Sequence, residues 1–256
     1  MLLLDKLRDP RTVRATIGRL FLGTLLQTPE GRAHVLTQAA IAEGSDEGAI
    51  FEHLVKKVDD EELGKMVKKH AEDEERHAAM FYACADRQGV GRPHIPTHIQ
   101  VLRILDKRIH LFDQQIETDA DVMEAYLVLQ VIEERAIEQF GMVEPVMRRF
   151  DVQTADVLKS VAADEQRHLR YCRAIAKRYA PSNARREARL RELREEEAHA
   201  FRDHQRAGLS YMLSKRLLPP AATVFWRAAV EILSRRDVLP YTSFHDTFDG
   251  ESAVAA

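Results

Sequence analysis

The 256-residue chain carries 38 Lys and Arg against 41 Asp and Glu, a net charge of -3, and is 31% charged but only 7% aromatic, with 11 Gly and 9 Pro. So few turn formers among long Ala/Leu/Glu/Arg stretches exclude a β-sandwich or a collagen-like chain and point to an all-α protein, and the balanced charge gives no electrostatic reason to expect a nucleic acid partner. The only two cysteines, Cys84 and Cys172, are in no Cys-x-x-Cys spacing, which excludes a disulfide scaffold and a structural zinc site and fits a reduced, cytoplasmic protein.

The elements follow in chain order. The apolar start, Leu2-Leu3-Leu4, is too short for the core of a signal peptide, and nowhere do 18 apolar residues run together, so no membrane span is expected. An amphipathic helix is predicted from about Arg11 to Leu26, ending before Pro29. A long helix then runs from Pro29, capped by Thr28, to about Val58. Asp59 with Glu62 resembles a capping box and opens a helix to about Arg87. Gly89, Gly91, Pro93 and Pro96 interrupt regular structure, and a connector helix follows over about Thr97 to Phe112. Thr118 or Asp119 caps the next, about Ala120 to Phe150, with Pro145 a point where it kinks or ends early. Asp151 or Thr154 opens another that Pro181 ends. An Arg/Glu-dense segment, about Asn183 to Gln205, reads as solvated or in contact with another subunit. Pro219-Pro220 separates it from an apolar helix containing Phe225 and Trp226, and the tail from Pro240 is expected to be loose. The expected division is a flanking helix in 1–28, a four-helix bundle in 29–181 and C-terminal helices with a tail in 182–256.

An internal repeat carries the chemistry. A shift of 91 residues lays Asp73-Glu74-Glu75-Arg76-His77 over Asp164-Glu165-Gln166-Arg167-His168, and also Ile41 over Ile132, Glu43 over Glu134, Glu47 over Glu138 and Lys68 over Lys159. Two helical hairpins of one design are therefore expected, joined by the Gly/Pro connector. Glu and His at i and i+3 share one helix face, so Glu74 with His77, and Glu165 with His168, can each hold an ion. In an antiparallel hairpin Glu43 stands level with Glu74. Glu134 stands level with Glu165 by the same count, though the turn near Asp151 also allows Glu138. Buried unpaired carboxylates cost several kcal/mol each, so cations are the natural compensation, and mixed oxygen and nitrogen ligands suit iron or manganese.

These motifs resemble the ferritin-like superfamily of di-iron and di-manganese carboxylate proteins, whose ligand set is one Glu from each of two helices and a Glu-x-x-His from each of two others. The resemblance covers about residues 30 to 180. It implies a ferritin-like four-helix bundle with a long crossover, decorated by N- and C-terminal helices, and metal ligands Glu43, Glu74, His77, Glu134, Glu165 and His168. The cofactor it implies is two iron ions, with two manganese or a mixed pair as the alternative. The Asp of each D-E-x-R-H also resembles that of di-iron monooxygenases, where it accepts a hydrogen bond from a ligand imidazole, which suggests that role for Asp73 and Asp164.

Other residues stand near this set. His70 shares the face of Glu74 and His77, and some di-iron N-oxygenases carry an added histidine at this spacing; Val161 fills the matching place, so the ligand would serve one metal only. Glu47 and Glu138 lie one turn from the upstream ligands and either coordinate or pair with arginines. Glu133, about 100° around the helix from Glu134, reads as solvated. Tyr126 reads as a core tyrosine or as an oxidisable phenol facing the site. Arg76 and Arg167 read as ion pairs between helices.

The resemblance leaves several chemistries open. The first reading is a stand-alone di-iron oxidase or oxygenase that activates dioxygen for an unidentified small molecule, drawing on an external electron donor. The alternative is a ferritin- or rubrerythrin-like protein that binds iron or scavenges peroxide; the third is a metal-free helical scaffold. Rubrerythrins with a rubredoxin-like site hold its iron by four cysteines, and the two cysteines here argue against a self-contained protein of that kind. Flanking helices that roof a cavity would favour the oxygenase, and a large face buried in a homodimer the protective reading.

Overall fold

The computed structural model describes residues 10–44, 47–110 and 116–234. Among them every regular element is helical: α1 Pro10–Leu25, α2 Pro29–Gly44, α3 Glu47–Lys57, α4 Glu61–Asp86, a 3-10 turn Thr97–Ile99, α5 Val101–Ile109, α6 Asp119–Met147, α7 Val152–Tyr179, α8 Asn183–Ser214 and α9 Pro220–Ser234. The architecture is the expected all-α, ferritin-like bundle. Helix α2 packs on α4, α6 on α7, and α4 on α7, so the two D-E-x-R-H helices face each other at the centre. No helix is long and apolar enough to cross a membrane among the described residues.

Local chemistry sets the ends of the bundle helices. Asp60, rather than the expected Asp59, caps α4 by accepting from Leu63 N at 3.0 Å. Asp59 instead accepts from the Tyr179 hydroxyl at 2.9 Å, tying the start of α4 to the end of α7. Thr118 and Asp121 form a reciprocal capping box on α6, and Asp151 caps α7 through Thr154 N at 3.0 Å. Gly89 and Gly91 adopt φ of +73° and +75°, a region that suits glycine and ends the run of α4.

Three expectations need correction. The single helix over 29–58 is two: α2 stops at Gly44 and α3 begins at Glu47. Gly44, followed in the sequence by Ser45 and Asp46, residue types that favour helix starts, was the available signal. A Cβ at Gly44 would lie 2.9 Å from the Ala78 Cβ, so the glycine also allows α2 and α4 to approach closely beside Glu43 and His77. The connector is a 3-10 turn and a short α5 ending at Ile109, with Phe112 outside the described residues. Helix α8 is not a solvated arm. It packs on α5 and α6, burying Leu193, Arg194, Glu197 and Ala200, and Arg108 of α5 reaches its Glu196 and Asp203, each at 3.0 Å. Pro145 lies inside α6, which ends two residues later at Met147.

Candidate metal centre

Two groups of side chains converge between the hairpins. One comprises Glu43, Glu74, His77 and Glu165; the other comprises His70, Glu74, Glu133 and His168; in each, one ligand atom per residue lies within 4.8 Å of all the others. Glu74 belongs to both. All seven side chains are buried, with His70, His77 and His168 at 0% exposure. His77 Nδ1 stands 3.2 Å from Glu43 and 3.1 Å from Glu165; His168 Nδ1 stands 2.9 Å from Glu165 and 3.1 Å from Glu74. His70 Nε2 lies 2.7 Å from Glu133 and 3.2 Å from Glu74, in one group only, and its ring stacks on His168 at 4.0 Å between centroids.

The two aspartates of the repeated motif work crosswise. Asp73 of α4 faces His168 Nε2 of α7 at 3.3 Å, and Asp164 of α7 faces His77 Nε2 of α4 at 3.2 Å. Each aspartate is placed to accept a ring proton from Nε2, which would leave Nδ1, turned toward the carboxylates, free for a metal. Arg76 joins Asp73 and Asp164 at 2.7 and 2.6 Å, and Arg167 joins the same pair at 2.7 Å each. Asp73 is fully buried and, against its burial, bonds from Lys69, Arg76, Arg167 and His168 hold its carboxyl far below the ordinary range. Asp73→Asn is expected to lower iron affinity about 10- to 100-fold, read by competition with a chelator. Full affinity in that variant would remove Asp73 from any positioning role.

The donor set fits a pair of divalent cations. Glu74 Oε1, Glu165 Oε1 and His70 Nδ1 are buried without a hydrogen-bond partner, although imidazole nitrogens stand beside both carboxylate oxygens. Four carboxyl groups share the space with only three imidazoles. Burial, then the charges of Glu74 and Glu165, push Glu43 well above the carboxylate range; burial, then the charge of Glu133, push Glu165 up to about 8. Burial acts the same way on Glu133, but the imidazoles of His168 and His70 outweigh it and hold that carboxyl far down. His168 is raised against its burial by Glu133, Glu165 and Glu74.

These shifts set a pH dependence for the metal-free chain. A carboxyl raised on folding from 4.5 to about 8, as in Glu165, leaves the folded chain holding the extra proton, so its stabilising contribution is full below pH 4.5 and is lost as pH rises through about 8. A raised imidazole such as His168 acts in the same sense above its ordinary 6.5. The melting temperature of the metal-free protein should therefore fall between about pH 5 and 8, and iron loading should release protons and remove that fall. A metal-free melting temperature that is level or rising over this range would contradict the assignment.

The fourth-helix glutamate is a correction. Glu134 does not join the cluster: Arg194 of α8 holds it at 2.7 Å and Gln130 donates to it at 3.0 Å. The neighbouring Glu133, read as solvated, is 4% exposed and faces the imidazoles instead. Glu138 is taken by Arg135 at 2.5 Å and Gln139 at 3.0 Å and stands outside the cluster. The side chain of Glu47 lies outside the described residues. Tyr126 is fully buried in the apolar core with Cys172, and its hydroxyl makes no hydrogen bond to the described residues. Both cysteines are buried and free.

A cavity of about 200 Å³ opens against the cluster, where Glu43, Glu74 and Glu133 form part of its wall. Ala39, Ala136, Phe140, Leu102 and Ile132 make much of the rest, and α5 and α8 roof it through Leu105 and Phe201. Arg135 and Glu197 on that wall neutralise each other at 2.7 Å. Sequence periodicity gave no sign of this space, which depends on where α5 and α8 pack.

A comparison with protein families matches the rubrerythrin model over residues 34–176, more than half of the chain. Searches of curated proteins and of solved structures returned no match. The matched span runs from α2 to α7 and contains every cluster residue. With the paired Glu/His groups between its hairpins, the chain belongs to the rubrerythrin family, within the ferritin-like di-iron carboxylate proteins.

Proposed function

We propose that this chain is a di-iron oxidase or oxygenase that activates dioxygen for a small, neutral, largely apolar molecule. The metal residues assigned by this reading are Glu43, Glu74, His77 and Glu165 around one ion and His70, Glu74, Glu133 and His168 around the other. The observation that carries it is the apolar cavity bordered by Glu43, Glu74 and Glu133. An engineered cavity of about 150 Å³ in another protein accepts benzene, so about 200 Å³ here suits a single substituted ring or a short chain. Peroxide alone needs no such room.

Two ferrous ions would supply two electrons together to dioxygen, a reaction no side chain of the protein can perform. The chain's own residues do the remainder. Glu43 and Glu165 give up their protons on loading, Asp73 and Asp164 hold the imidazoles in register, and the aliphatic wall excludes water from the reacting molecule. Inserting one oxygen atom into the molecule and releasing the other as water would consume those two electrons and two protons, and an external donor must return two electrons to the oxidised pair for each turnover.

The test is oxygen uptake by the iron-loaded protein with a chemical reductant, across a panel of neutral one-ring and short-chain compounds. At least one compound should stimulate uptake and gain an oxygen atom or lose two hydrogens. Rapid turnover of peroxide, with no compound affecting oxygen uptake, would replace this reading by the peroxide-scavenging one.

A further inference from the structure

A second concavity shares no lining residue with the apolar cavity. It occupies about 590 Å³ between α7 and α8, within the usual range for small-molecule sites, and Gln130 of α6 forms part of its wall. Five cationic side chains line it: Arg173 and Lys177 from α7, and Arg186, Arg191 and Arg194 from α8. Glu187 is the one acidic residue of its wall, at 3.7 Å from Arg186. Arg194 spends its charge on Glu134, but Arg173, Lys177 and Arg191 make no hydrogen bond or ion pair with any described residue. A chain with a net charge of -3 thus gathers unneutralised cations around one cleft, whose local field draws anions toward it.

We infer that this cleft binds a phosphate-bearing small molecule. Guanidinium groups present planar pairs of donors that match phosphate oxygens, and three of the four cations other than Arg194 are arginines. A single carboxylate would leave most of this charge unpaired, whereas a phosphate or diphosphate matches it. The concave wall and its volume suit a compact organic phosphate rather than an extended polyanion. Leu190 and Ala174 give an apolar surface for the body of such a molecule. The cleft is also close to the metal residues along the chain: Gln130 is three residues from Glu133 on α6, about 4.5 Å of helix rise.

The experiment is calorimetric titration of the iron-loaded full chain with inorganic phosphate, pyrophosphate and adenosine diphosphate, with iron content measured before and after so that chelation registers as lost iron. Saturable 1:1 binding is expected, weakened about tenfold or more in the double variant Arg173→Gln/Arg191→Gln. Glu187→Gln, which removes the one carboxylate of the wall, should tighten binding, so a gain as well as a loss is required. Arg185→Gln, outside the cleft on the same helix, should leave affinity unchanged. Adenosine diphosphate binding more tightly than phosphate identifies an organic phosphate as the ligand; equal affinity identifies the free oxyanion, and either supports the assignment. No saturable binding by any of the three, or binding indifferent either to the double variant or to Glu187→Gln, overturns it.

Discussion

Glu133→Ala should cut iron uptake after anaerobic loading from about two ions per chain to one or fewer, while Glu134→Ala should retain about two and melt at a lower temperature. The two residues are adjacent on α6, and about 100° of helix rotation separates their fates. Glu133 completes the group with His70, Glu74 and His168; without it one ion keeps a single carboxylate, the one shared with its neighbour. Glu134 is fully buried against Arg194, itself only 7% exposed. Removing one partner of such a pair strands a buried charge, at about 3–5 kcal/mol. Elemental analysis and thermal unfolding of both variants read the two effects separately. Full iron in Glu133→Ala together with lost iron in Glu134→Ala would restore the assignment that the internal repeat suggests.

Filling the apolar cavity should separate substrate chemistry from metal chemistry. Ala136 lines the space three residues along α6 from Glu133, and Val143 lines it farther from the cluster. Ala136→Phe places a ring where the proposed substrate sits, and displacement of a reacting molecule by even about 1 Å can cost 100-fold in rate. Compound-dependent oxygen uptake should therefore fall about 100-fold, with iron content and any peroxide turnover unchanged. Val143→Phe, which shortens the cavity at a distance from the ligands, should discriminate against the longer members of a compound series. Oxidation of the compound at the wild-type rate in both variants would place the reaction elsewhere.

The two D-E-x-R-H motifs were legible because i, i+3 spacing fixes a shared helix face whatever the rest of the chain does. That spacing located Glu74, His77, Glu165 and His168, and it put His70 on the same face, with Val161 at the matching place of the second repeat. The upstream glutamate was harder. Equal hairpins were assumed from the 91-residue shift, but Glu43 and Glu74 are 31 residues apart while Glu133 and Glu165 are 32 apart. The stretch Ala125–Val131 is buried on every side, so no polar face of α6 next to the pair marks which of two adjacent glutamates points inward. The deciding contact is Arg194, sixty residues away on a helix whose charge pattern resembles a solvated one. Similarly, Arg135 and Glu197 satisfy each other only because α8 lies on α6. The cavity and the cationic cleft are both made by that same packing, and neither leaves a periodic trace in the sequence.

The most direct test of the dinuclear assignment is an anaerobic titration of the metal-free chain with ferrous iron, followed to saturation by bound metal per chain. Two ions per chain should bind with proton release, one for each of the two Glu/His groups that share Glu74. Saturation at one ion per chain, or no bound iron at all, would contradict the account.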